Sequence, residues 1–303
     1  MRSIPISLST PSSPLSMSPP PGLTATCWGT RGSIPAPGPD TVRYGGNTPC
    51  LEVQAEGRRY IFDAGTGIRA LSRALEPEEP VEAELFLTHF HWDHVQGFPF
   101  CGQLYHADSR IRVHGPPQDG AGVASVLAGI MAPAYFPVPL DALAAGVEFV
   151  DVDTAPWTDG AVEVDALRVC HPGFTCGYRL RTGGASIAYV PDNELREADD
   201  AQYRQMVDWA AGVDLLVHDA MWRDDEYPRY RGWGHGSVGD AVRLAEDAGA
   251  RRLLLFHYAP ERRDDELDAI VSEVRRGLAE RGSALRVDPA CEGVAVHLCR
   301  GDA

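Results

Sequence analysis

The 303-residue sequence predicts an α/β fold, one domain of two layered halves behind a short tail. Three observations carry that reading. Short strand-like and helical segments alternate from Leu23 onward, the pattern of sheets covered by helices. No internal repeat and no linker interrupts them after residue 22. Several of the strand-like runs lead into a His or an Asp, so polar chemistry collects at strand ends.

Residues 24–28 open as a strand, and 51–55 and 59–62 form a hairpin around Glu56-Gly57. Residues 67–74 read as a short helix, 83–87 as a buried strand, 111–114 as a strand and 122–131 as a helix. Four strands come next, 147–150, 162–169, 175–181 and 186–190, the last two joined by Thr182-Gly183-Gly184. The second half adds a helix near 199–210, a strand 213–217, a helix 238–248 and a strand 252–256. A charged amphipathic helix 264–280 and a strand 292–298 close the chain.

Composition narrows the classes. A hydrophobic content of 44% supports a sizeable core, and no apolar run approaches the roughly 20 residues of a membrane span. A net charge of −16 argues against a long polyanion such as duplex DNA or tRNA. Seven Cys without a Cys-x-x-Cys spacing point to a reducing, cytoplasmic compartment. Residues 1–22, rich in Ser and Pro, have little to bury and are expected to be disordered, leaving 23–303 as the folded domain. Ile4-Pro5-Ile6-Ser7-Leu8 is too broken for a signal peptide.

The strand over 83–87 runs into Thr88-His89-Phe90-His91-Trp92-Asp93-His94, three imidazoles and a carboxylate within six residues. Four such groups cannot stay unpartnered in a core, but at a strand's C-terminal end the chain turns and they converge. Imidazole and carboxylate are a ligand set that zinc, iron or manganese accepts. Three of the chain's ten His lie here, which makes a chance polar loop a poor explanation. Further strands lead into His171, Asp192, His218-Asp219 and His257. Singly, each is an ordinary hydrogen-bonded strand-end residue. Sharing a sheet edge makes them candidates for one metal centre.

On these residues the chain resembles the metallo-β-lactamase superfamily, and within it the branch of ribonuclease Z and small cyclic-phosphodiester phosphodiesterases. The likeness spans about residues 24–298. It rests on Gly29-Thr30-Arg31-Gly32-Ser33, Phe62-Asp63-Ala64-Gly65-Thr66, the 89–94 cluster, His171, Asp192 and His257. The branch is marked by His218-Asp219-Ala220-Met221-Trp222 and Gly234-His235-Gly236-Ser237. The resemblance implies an αββα sandwich, two mixed sheets with helices on the outer faces. It implies two divalent ions, zinc foremost, with manganese or iron as alternatives. His89, His91 and His171 would hold the first, Asp93, His94 and His257 the second, and Asp192 would bridge them. Water between two such cations becomes a hydroxide nucleophile as its pKa falls toward about 7.

The catalytic candidates are Asp93, Asp219 and His235. His235 would protonate the departing oxygen, held by Asp219. Its other role would be at the start of the next helix, where Ser237 is a good N-cap. His218 faces away from Asp219 on an extended strand and reads as core or support.

The implied activity is a dinuclear phosphodiesterase for a small phosphodiester, a cyclic nucleotide or related cyclic phosphate. A lactone or carboxyl-ester hydrolase on the same metals is the alternative, but it needs no leaving-group acid. A tRNA 3′-end endonuclease would carry a long arm, and residues 170–191 and 193–217 are too short for one. A β-lactamase would use a Cys at the second metal, and Cys170 and Cys176 fit no ligand position. A non-catalytic module would not need the complete ligand set.

For substrate, Tyr135 and Phe136 in the Pro-rich stretch 131–140 either stack on a flat base or cover the core. Residues 222–233 either recognise base and phosphate or form a rigid bridge. Asn47, in Tyr44-Gly45-Gly46-Asn47, either binds ligand or holds that turn. A homodimer is expected because members of the branch commonly pair; neither a membrane nor a long nucleic acid is expected as partner.

Overall fold

The computed structural model describes residues 22–76, 79–153 and 155–299. The expected disordered tail thus lies outside the described residues, Gly22 excepted. Two seven-stranded sheets make up the architecture. In the first, β1 (Leu23–Gly29), β2 (Cys50–Ala55) and β3 (Arg58–Phe62) run antiparallel. Helix α1 (Gly67–Ala74) leads to β4 (Glu82–Phe86) and a one-turn α2 (Trp92–Val95). Then β5 (Arg110–Gly115), α3 (Val123–Ile130) and β6 (Gly146–Asp151) extend the sheet in parallel.

The second sheet repeats the plan. Strands β7 (Trp157–Asp159), β8 (Val162–Arg168), β9 (Cys176–Arg181) and β10 (Ser186–Val190) are antiparallel. After α4 (Asp200–Trp209) come β11 (Leu215–Asp219), α5 (Val238–Asp247), β12 (Arg252–Phe256), α6 (Asp264–Glu280) and β13 (Arg286–Pro289), the strands parallel. β14 (Ala295–Leu298) returns to pair with β1. Each half is thus an antiparallel meander continued by parallel strands. This repeat is invisible in the sequence because strand order and direction recur while residues do not.

Local chemistry explains the elements. Glu56 (φ 51°) and Gly57 (φ 75°) are both left-handed, the tight hairpin turn whose twist matches the strands it joins. The central parallel strands of the second sheet are covered on both faces, so β11 is buried at every residue and β12 at all but its first. Asp199 and Gln202 form a reciprocal capping box on α4, and the Ser237 hydroxyl caps α5. Aromatic rings from both sheets meet in the middle, Phe62 lying 5.4 Å from Phe86 and 5.8 Å from Tyr189.

The structure shifts some boundaries. The strand expected at 213–217 starts two residues later and includes His218 and Asp219, because parallel pairing with β10 and β12 carries the ladder through them. The final strand shortens because Gly293, at φ 75°, turns the chain after Glu292. β7 and β13 were not expected; both are short edge strands with polar residues on one face. Among the described residues no helix is long and apolar enough to cross a membrane. The C-terminal ends of β4, β10, β11 and β12 meet at one edge, where ligands of open α/β sheets bind.

Candidate metal centre

The turn after β4 delivers His89, and α2 presents His91 at its N-cap followed by Asp93 and His94. Asp192 comes after β10, His257 after β12, and His171 from the β8–β9 connection. The ligand atoms of His89, His91, His171 and Asp192 form one group and those of Asp93, His94 and His257 another, each within 4.8 Å of the rest of its group. Asp192 joins the two. Its Oδ2 lies 3.6 Å from His89 Nε2 and 3.5 Å from His171 Nε2, and its Oδ1 lies 3.2 Å from both His94 Nε2 and His257 Nε2. Asp93 Oδ2 is 3.1 Å from His257 Nε2 and 3.4 Å from His94 Nε2, and accepts the Ser33 amide at 2.7 Å.

These residues fit a divalent-metal centre. The buried atoms His89 Nε2, His94 Nε2 and Asp192 Oδ1 have no hydrogen-bond partner. Each such orphan costs about 1–3 kcal/mol, which a cation at their common focus relieves. Burial, reinforced by His94, pushes the His89 imidazole well below its usual range, and burial lowers His171 to about 4, so both are neutral as ligation requires. Burial would raise Asp192, but His257, His94 and His171 outweigh it and keep the carboxylate ionised. Burial likewise opposes a charged His94, yet Asp192, Asp93 and Asp63 drive its pKa well above the usual value. This pocket is built to surround positive charge.

Several supports carried no assigned role in the sequence. Asp63, fully buried at φ 61°, accepts His94 Nδ1–H at 2.8 Å, the Thr88 amide at 2.8 Å and the Tyr189 hydroxyl at 3.0 Å. It thereby aims His94 Nε2 at the centre. His89 Nδ1 pairs with Thr88 Oγ1 at 3.0 Å, and His171 Nδ1–H donates to the Gly234 carbonyl at 2.7 Å. The sequence signals them by position and motif, Asp63 directly after β3 in the 62–66 motif and Thr88 beside the cluster. Gly32 leaves room for a ligand: a Cβ there would sit 2.5 Å from His257 Cε1 and Nδ1. His257 is fully buried at φ 58° and has nowhere to go. Gly32→Ala is therefore expected to cost about 1–3 kcal/mol of stability and to weaken the ion at His257 first. Thermal unfolding and metal analysis of that variant check both effects.

His235 and Asp219 lie together, Nδ1 to Oδ2 at 3.1 Å. Asp219, fully buried, is itself fixed by the amides of Asn193 and Gly236, each at 3.1 Å, and of Met221 at 3.0 Å. The His235 ring stacks 5.0 Å from His257, so the pair borders the centre. His218 is core, its Nδ1–H donating to the Asp219 carbonyl at 2.8 Å. Asn47 holds the turn: its side chain donates to Glu292 at 2.8 Å and accepts from Thr66 at 3.1 Å. Phe136 is half-buried, packed under Phe100 and on the outer core of the first sheet, whereas Tyr135 is exposed beside Trp92. Within residues 222–233, Trp222 and Tyr230 stack at 3.7 Å, while Trp233 is exposed.

Residues 58–258 match the family described as a beta-lactamase superfamily domain. The ribonuclease Z of Haloarcula marismortui is 25% identical over 319 aligned positions, which cover 88% of this chain and 97% of that protein. Among solved structures, the metallo-beta-lactamase fold protein YhfI of Bacillus subtilis superposes with a TM-score of 0.67 at 19% identity, over 91% of this chain and 98% of its own. A diphosphatase of the PhnP family gives 0.64 at 18% identity, over 92% and 99%. With well over half its length matched, the chain belongs to the beta-lactamase superfamily, as one of its metal-dependent hydrolases.

Proposed function

We propose that this protein hydrolyses a small phosphodiester, a cyclic nucleotide or related nucleotide diester, at a centre of two divalent cations, zinc foremost. His89, His91 and His171 would hold one ion and Asp93, His94 and His257 the other, with Asp192 placed between the two sets. When bound, such cations supply a water acidified toward neutral pKa and neutralise charge on phosphoryl oxygens. The observation that carries the reading is the His235–Asp219 pair at the border of that centre. Asp219 engages Nδ1, which leaves Nε2–H as the proton to give. Burial lowers the His235 pKa, but the hydrogen bond and charge of Asp219 raise it to about 9, with Asp192 and Asp93 adding to the rise. A departing ribose alkoxide needs that proton.

Exposed aromatic surface supports a base-bearing substrate. Trp92, between two metal-side residues, is 58% exposed, and Tyr135, its ring 6.3 Å away, is 71% exposed. Trp233, next to the glycine that orients His171, is 63% exposed. Stacking of one base on such a ring is worth about 1–3 kcal/mol. Trp92→Ala and Tyr135→Ala are thus expected to raise KM for a nucleotide diester roughly tenfold, with kcat little changed. A diester without a base should show no such rise.

The relatives' names favour a second reading, tRNA 3′-end processing. Against it, the alignment to the Haloarcula enzyme is longer than the whole chain, 319 positions against 303 residues, so that protein carries segments without counterpart here. Between His171 and Asp192 lies only the β9–β10 hairpin, and between Asp192 and Asp219 only α4 with its flanks. The net charge of −16 also disfavours a long RNA. Seven unpaired cysteines suit a cytoplasmic location. Turnover of a nucleotide diester by the zinc-loaded protein, with simple lactones untouched, is the expected result; the reverse ranking overturns the proposal.

A further inference from the structure

We infer that Glu194 is a positioning residue that sets His171 and His235 together. The inference rests on the proposed function, in which His171 holds an ion and His235 donates the proton. Glu194 is 2% exposed, and among the described residues no arginine pairs with it. Its carboxylate instead gathers three donors: the Tyr227 hydroxyl at 2.7 Å and the Gly232 amide at 2.6 Å on Oε1, and the Gly234 amide at 2.6 Å on Oε2. Gly232 (φ 84°) and Gly234 (φ 88°) are both left-handed, which turns their amides onto one anion.

Gly234 links this carboxylate to both imidazoles. Its carbonyl accepts His171 Nδ1–H at 2.7 Å, and the next residue in the chain is His235. A Cβ on Gly234 would stand 2.4 Å from His171 Nδ1, so loop and imidazole are already in contact. Through its own backbone amide, Glu194 donates to the carbonyl of Cys170, the residue before His171, at 2.7 Å. One carboxylate therefore fixes the peptide that selects the His171 tautomer and launches the residue carrying the acid. Partners that orient a ligating imidazole are typically worth 10–100-fold in affinity or activity.

Glu194→Gln is isosteric but points an NH2 group at a glycine amide. On the metal-free, full-length protein, 15N spectra report the His171 tautomer and amide exchange reports Gly232 and Gly234. On the loaded protein, zinc titration reports the first site, and a nucleotide diester against bis-p-nitrophenyl phosphate reports His235. Expected for E194Q are a mixed His171 tautomer, faster exchange, zinc affinity lower by about 10–100-fold, and a larger loss on the nucleotide diester. Tyr227→Phe, which keeps both glycine contacts, should stay near wild type throughout. Glu194→Asp, keeping the charge with shorter reach, should fall between and serves if E194Q does not fold. A wild-type tautomer and exchange in E194Q overturns the inference, as does Y227F behaving like E194Q. If His235 proves not to be the acid, the metal-free measurements still judge Glu194 by themselves.

Discussion

Asp192→Ala loses both ions together. Its two oxygens face His89 and His171 on one side and His94 and His257 on the other, with His235 Nδ1 3.8 Å away, and among the described residues no other side chain reaches both groups. Removing it leaves each set short of one anionic ligand and leaves four buried imidazoles facing one another. Metal analysis of the variant after loading with zinc should find less than about one ion per chain. Activity should fall by roughly 10³-fold or more, since the cations' contribution to the transition state amounts to several kcal/mol. His257→Ala, which touches one group only, should keep the first ion. Retention of both ions by Asp192→Ala would remove Asp192 from the bridging position.

His235→Ala separates substrates by their leaving groups. A ribose alkoxide leaves poorly without a proton, whereas p-nitrophenolate leaves without help. General acid catalysis contributes about 10²–10⁴-fold, so the variant should lose that much on a nucleotide diester and far less on bis-p-nitrophenyl phosphate. Asp219→Ala should show the same pattern more weakly, because Asp219 holds and charges the imidazole without touching substrate. Zinc content should stay at the wild-type level in both. Equal losses on the two substrates would make His235 a phosphate-binding or structural residue.

The chemistry of the centre was legible where it is written in consecutive residues or at the ends of strongly apolar strands. The cluster at 89–94 announces itself by composition, and Asp192 and His257 come after runs too apolar to be anything but buried strands. What escaped depends on distance in space. The 62–66 motif marks Asp63, but its role emerges only when the fold sets it against His94 Nδ1, 31 residues on. Glu194 acquires its role only because Gly232 and Gly234 fold back onto it, and that depends on backbone angles rather than residue type. The turn-holding role of Asn47, one of the two the sequence allows, rests on distance too, because its partner Glu292 lies 245 residues away. Edge strands β7 and β13 were missed because one unpaired side admits polar residues and blurs the alternation.

The most direct test sets two substrates against each other with one preparation of zinc-loaded protein. kcat/KM is measured for a cyclic nucleotide or nucleotide diester and for a precursor tRNA carrying a 3′ extension. The predicted result is turnover of the small diester that is abolished in Asp192→Ala, with the precursor tRNA left uncut. Cleavage of the precursor at its 3′ end, with the small diesters untouched, would contradict it.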